Sequence, residues 1–203
     1  MTRVFATLGV ATLGLVWLGP LPRLASSSFS AHMAMHMGVV AVASPLLAIG
    51  LAGGGWDPVR LAPRWFAAIP ASIAELVVVW AWHTPMMHHW ARHHFVGFVA
   101  EQATFFACGV WLWSAAFGGA ARERTARSAA GLVALLLTSM HMTLLGALLA
   151  LATRPLYLHP SAQGHLSPLS DQHLGGAIML LVGGIAYLAG GLALGLRLLR
   201  SRR

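Results

Sequence analysis

Two histidines stand four residues apart in His32-Met33-Ala34-Met35-His36-Met37, at the head of an apolar run that reaches Ala52. On a helix that spacing stacks both imidazoles on one face, one turn above the other, and Met33 and Met37 repeat it on the adjoining face. Imidazole and thioether are side chains that suit copper, the thioether favouring the cuprous ion. Methionine is also a common core filler, so the hexapeptide by itself fits either packing or metal. Further histidines accompany it. Trp80-Ala81-Trp82-His83-Thr84-Pro85 closes another apolar run and is followed by His88-His89 and His93-His94. His88-His89 and His93-His94 read as a surface capture patch or a solvated amphipathic segment, His89 and His93 sharing the same spacing if helical. His141 lies between Met140 and Met142 deep in an apolar run. Adjacent helical residues diverge by about 100°, so these three cannot face one ion. An ionisable side chain at such a depth is expensive and marks a functional position. Glu101 suits a carboxylate that orients a ligand imidazole or itself ligates, and Glu75 a structural hydrogen-bonding group. No acid pair is visible for hydrolytic or acid–base catalysis, and no catalytic residue is assigned; the reading is of a non-enzyme.

The elements that position these groups are membrane helices. Hydrophobic residues make up 58% of the 203 and charged residues only 9%, where a soluble domain carries about a quarter charged; the mean hydropathy is +0.72. That composition excludes a soluble enzyme. All 13 basic residues are arginine, the acids are Asp57, Glu75, Glu101, Glu123 and Asp171, and the formal charge is +8. In a membrane protein such an excess belongs beside anionic lipid rather than nucleic acid. Cys108, in an apolar run, reads as packing and has no second cysteine to pair with. Apolar runs predict spans at about 4–19, 32–52, 65–82, 95–117, 129–152 and 173–196, each near the ~20 residues a bilayer requires. The expected fold is all-α, a polytopic bundle of about six transmembrane helices in a single membrane domain over 1–203. Pro45 is expected to kink the second span. The first run is short, ends at Pro20 and Pro22, and precedes Ala25-Ser26-Ser27-Ser28, so a cleaved signal peptide is the alternative reading there. Gly176, Gly183 and Gly190 repeat every seven residues, with Gly184 and Gly191 beside them, which lets another helix approach closely.

With the amino terminus inside, ten arginines fall on inner segments and three (Arg23, Arg92 and Arg154) on outer ones, a clear positive-inside bias. Both termini are then cytoplasmic. The same orientation places His32, His36, His83, His88, His89, His93, His94, His159, His165 and His173 at or near the outer side, with His141 about eleven residues deeper, roughly 17 Å. None of the 11 histidines falls on the inner side, so the sequence favours an outward-facing metal or haem site.

Together these segments resemble the CtaG-type cytochrome c oxidase assembly factors. The matching residues are His32-Met33-x-x-His36, Trp82-His83-x-Pro85, Met140, Gly146-Ala147-Leu148-Leu149 leading to Pro155-Leu156-Tyr157, and Leu166-Ser167-Pro168-Leu169-x-Asp171-Gln172 entering the last helix. The resemblance covers about residues 30–190, and its last block is the most specific. It implies a helical bacterial plasma-membrane protein that matures haem-copper oxidases at the copper B centre. The implied partners are the oxidase catalytic subunit, a periplasmic copper donor and membrane lipid, with copper held transiently. One departure stands out: where the family pattern has Glu-His in the fourth span, this chain has Glu101-Gln102, leaving His141 or the His93-His94 pair to substitute. The candidate metal ligands are His32, Met33, His36, Met37, His83, Glu101, His141, Asp171 and His173. Two alternatives stay open: a haem-binding electron-transfer protein with His36, His83 and His141 as axial candidates, and a metal-free assembly scaffold.

Overall fold

A computed structural model describes residues 2–120, 123–157 and 166–201; His159 and His165, expected in the last outer loop, lie outside them. The principal helices are α1 Thr2–Leu18, α2 Phe29–Leu51, α3 Ala68–Trp82, α4 Pro85–His93, α5 Phe95–Phe117, α6 Arg124–Ala150 and α7 Pro168–Arg200. Single-turn helices at Leu21–Ala25 and Pro58–Leu61 join them, and no strand occurs among the described residues. The fold is the expected all-helical, polytopic bundle. Of the six apolar rods, α2, α5, α6 and α7 are long and apolar enough to cross a membrane. Helices α1 and α3 are apolar but hold 17 and 15 residues, about 26 and 22 Å at 1.5 Å per residue. Pro85, which lacks an N–H and fixes its φ, begins α4 directly after α3, so the histidine-bearing segment between the third and fourth spans is an amphipathic helix packed on α5.

Pro45 acts through a widened turn rather than a break. Residues Gly38–Ala43 form a π-helical turn in which the Ser44 N–H reaches back five residues to the Val39 carbonyl. The next carbonyl, Val40, would need the N–H that Pro45 lacks. It accepts instead from Trp113 Nε1 at 2.9 Å, while Ser44 Oγ donates to Val39 O at 2.8 Å. A second wide turn, Met179–Gly183, interrupts α7.

The glycines of α7 serve two faces. A Cβ on Gly176 would lie 2.5 Å from the Ala150 nitrogen, and one on Gly190 would lie 2.6 Å from the Trp113 ring. Helix α7 therefore meets α6 at backbone distance, as close-packed membrane helices do, and makes room at Gly190 for the Trp113 side chain of α5. Gly183 is looser, 3.8 Å from Met37 Sδ, and a Cβ on Gly184 would meet no described residue within 4 Å. At the arginine-bearing end the buried Asp57 carboxylate accepts from the Gly53, Val59 and Gly119 N–H groups at 2.7, 3.0 and 2.8 Å, pinning two loops together.

Candidate metal centre

His32 and His36 enter the bundle from the first turns of α2, and the structure fixes which way they face. The His36 ring lies 4.0 Å from that of Phe105 on α5, and His32 Nδ1 is 3.8 Å from Glu101 Oε2 on the same helix. His83, at the C-terminal cap of α3, closes a triangle with ring centroids 5.8 Å from His32 and 5.4 Å from His36. His88 of α4 completes the group, its ring 4.8 Å from that of His32. All four imidazoles and Glu101 are buried, each at most 5% exposed. One ligand atom each from His32, His88 and Glu101 lies within 4.8 Å of the others.

The hydrogen bonds are as informative as the distances. His83 Nδ1 is 2.6 Å from the Val79 carbonyl. A carbonyl only accepts, so Nδ1 carries the proton and Nε2 presents its lone pair. That Nε2, and both ring nitrogens of His32 and of His36, have no hydrogen-bond partner among the described residues. A buried polar atom left unpaired costs about 1–3 kcal/mol, and such atoms gathered in one place can be satisfied by a water or an ion. Glu101 is held by Gln102 Nε2 at 3.2 Å and by the Arg92 guanidinium. Burial pulls the Arg92 pKa down and the Glu101 carboxylate opposes it; a guanidinium stays charged in a protein.

The last sequence block builds the walls of this centre. Ser167 caps α7, accepting from Ser170 N at 3.2 Å, with Pro168 in the first turn. Gln172 accepts from Leu156 N at 2.7 Å and donates to Leu149 O at 3.3 Å, holding the Pro155-Leu156-Tyr157 segment in place. Tyr157 then stacks on Phe29 at 4.4 Å, lies 4.5 Å from the His88 ring, and donates to the His83 carbonyl at 2.6 Å. Burial pushes its phenol well above the usual range, so it remains a donor.

Of the residues expected as ligands, the structure brings together His32, His36, His83 and Glu101, and it adds His88, which the sequence had grouped with a surface patch. Met33 and Met37 turn to α7 instead: a Cβ on Gly175 would lie 3.0 Å from Met33 Cγ, and Met37 Sδ lies beside Gly183. The 100° between neighbouring helical positions separates thioethers from imidazoles. Asp171 is engaged at the N-terminus of α2, accepting from Phe29 N at 2.6 Å, Ser30 N at 3.2 Å, Ser28 Oγ at 3.0 Å and Ser30 Oγ. His173 Nε2 is 2.8 Å from the Ala152 carbonyl, a loop contact. His141 is buried on α6 with neither nitrogen partnered among the described residues, Met142 buried beside it and Met140 63% exposed. His89 and His93 form the expected helical pair, ring centroids 4.1 Å apart, on the exposed face of α4. Gln102, at the position of the departure, accepts from Trp17 Nε1 at 3.1 Å and ties α1 to the Glu101 carboxylate. Glu75 accepts from the Tyr187 hydroxyl at 3.1 Å, a structural link between α3 and α7.

The bundle and its centre define a polytopic membrane protein with a buried imidazole–carboxylate site at one end. The family model for the cytochrome c oxidase caa3 assembly factor (Caa3_CtaG) matches residues 1–201, and the chain belongs to that family. No curated protein and no solved structure matches it.

Proposed function

We propose that this assembly factor carries copper as cargo, received on the outer side of the bacterial plasma membrane and passed to the copper B centre of the oxidase catalytic subunit. The observation that carries this reading is the set of buried imidazole nitrogens around His32, His36 and His83, beside Glu101, that have no hydrogen-bond partner among the described residues. Neutral imidazole is a good copper ligand. Donors about 2 Å from an ion stand roughly 3.3 Å apart, so the 4.8 Å group of His32, His88 and Glu101 closes on an ion by side-chain movements of about 1–2 Å. An open arrangement of this kind suits a site that must release what it binds. The rings sit 4.8–6.4 Å from one another against Phe105 and Tyr157, a scale that favours an ion over a porphyrin. The arginine distribution supports the outer placement, where a periplasmic donor would deliver.

The test is oxidase activity together with copper content. The double substitution His32→Ala and His36→Ala is expected to abolish cuprous loading of the purified protein. In cells it should lower oxidase activity while the membrane level of this protein stays unchanged. Full oxidase activity in cells carrying the double variant would overturn the proposal and favour the metal-free scaffold.

A further inference from the structure

The carboxylate at the centre already has a cation on it. Arg92, near the end of α4, places its guanidinium against Glu101 with only 2% of its side chain exposed. Glu101 Oε2 takes that pair together with Gln102, while Oε1 has no partner among the described residues, and neither does Arg92 Nε. Arg92 also lines a cavity of about 200 Å³, together with Ser26, His93, His94, Phe95 and Phe98. Arg92 Cζ is 5.7 Å from the Phe98 ring centroid, a cation–π distance.

We propose that Arg92 is a tethered counter-cation that keeps the metal's place at Glu101, and that the cavity beside it is the route by which the metal ion reaches the imidazoles. The inference rests on the copper reading above. Two cations cannot share one buried carboxylate without strong repulsion, and an arginine does not escape by losing its proton. An arriving ion thus displaces Arg92 from Glu101 into the cavity, where the Phe98 face and water receive it. His93 and His94, exposed at the mouth, offer imidazoles on the way. When the ion leaves, Arg92 returns, so the buried carboxylate is never left uncompensated, a state that is strongly unfavourable. Competition by an attached cation lowers affinity and lowers the barrier to release, which are the properties delivery needs. Arg92 acts through Glu101 and is a positioning residue.

The experiment measures cuprous affinity and loading rate of the full chain in detergent, by competition with a chromophoric cuprous chelator. Arg92→Gln is expected to bind about 10-fold more tightly or more, the repulsion of one nearby charge having been removed. Arg92→Lys, which keeps a charge but lacks the planar fork, should fall between the two. In a Glu101→Gln background the effect of Arg92→Gln should shrink, because the competition for that carboxylate is gone and only the repulsion of one nearby charge remains. Equal or weaker binding by a folded Arg92→Gln overturns the proposal and leaves the copper reading standing. If Arg92→Gln does not fold, the comparison rests on Arg92→Lys, where unchanged or slower loading overturns it. No copper uptake by wild type and Arg92→Gln alike overturns the copper reading and this inference together.

Discussion

Replacing Asp171 separates the two roles its position suggests, metal ligand and organiser of the centre. Its carboxylate accepts two backbone N–H groups and two hydroxyls at the first turn of α2. The helix N-terminus adds a favourable field for its charge, worth about 0.3–1 kcal/mol. Hydrogen bonds to a charged acceptor contribute about 1.5–3 kcal/mol each in favourable cases, and non-additivity within one carboxylate reduces their sum. Asp171→Ala should therefore cost about 2–4 kcal/mol, equivalent to a fall in Tm on the order of 5–15 °C for a chain of this length. Asp171→Asn keeps one acceptor oxygen and loses the charge, and should cost about half as much. Because His32 sits one turn further along α2, the loosened turn should also weaken copper binding, in proportion to the lost stability. Thermal unfolding in detergent, followed alongside cuprous titration, makes the comparison. A variant with unchanged Tm but abolished copper binding would refute the organising role and restore Asp171 as a ligand.

Three further outcomes follow from the packing and hydrogen bonds. His36→Leu removes two buried nitrogens that have no partner among the described residues; it should leave the metal-free Tm unchanged or raise it by a few degrees while lowering cuprous affinity at least about 10-fold, a stability–function trade-off. Trp113→Phe strips the donor from the Val40 carbonyl opposite Pro45 and should cost about 1–3 kcal/mol, read as a lower Tm with copper binding retained. Gly176→Val forces a side chain against the Ala150 backbone and should abolish accumulation of folded protein in the membrane, whereas Gly184→Val, in open space, should be tolerated; equal levels of the two would contradict the helix contact.

The long apolar runs made the rods legible, because in a bilayer only a helix or a closed barrel satisfies its own backbone. Helix α1, Thr2–Leu18, is as short as its apolar run, whereas α3 begins at Ala68 and leaves residues 65–67, which hydropathy alone assigns to the membrane, outside the helix. The pairing of His32 with His36 was readable from helical spacing, and the arginine bias put His83 at the same end of the bundle, but which of the 11 histidines converge was not. What spacing cannot give is which neighbour each stripe faces: Met33 and Met37 are as regular as the histidines, yet they serve α7. His88 was masked by its polar surroundings in α4, although its burial follows from the amphipathic period, with Ala91 three residues on and also buried. Asp171 drew attention as an acid near a histidine-rich end, but its partners Ser28 and Ser30 lie some 140 residues away, beyond any local pattern.

The most direct test of the central claim is X-ray absorption spectroscopy at the copper edge of the loaded, purified protein. The account predicts a nitrogen and oxygen shell with the multiple scattering of imidazole, diminished in His36→Leu. A shell dominated by sulfur would place the copper on methionines and contradict it.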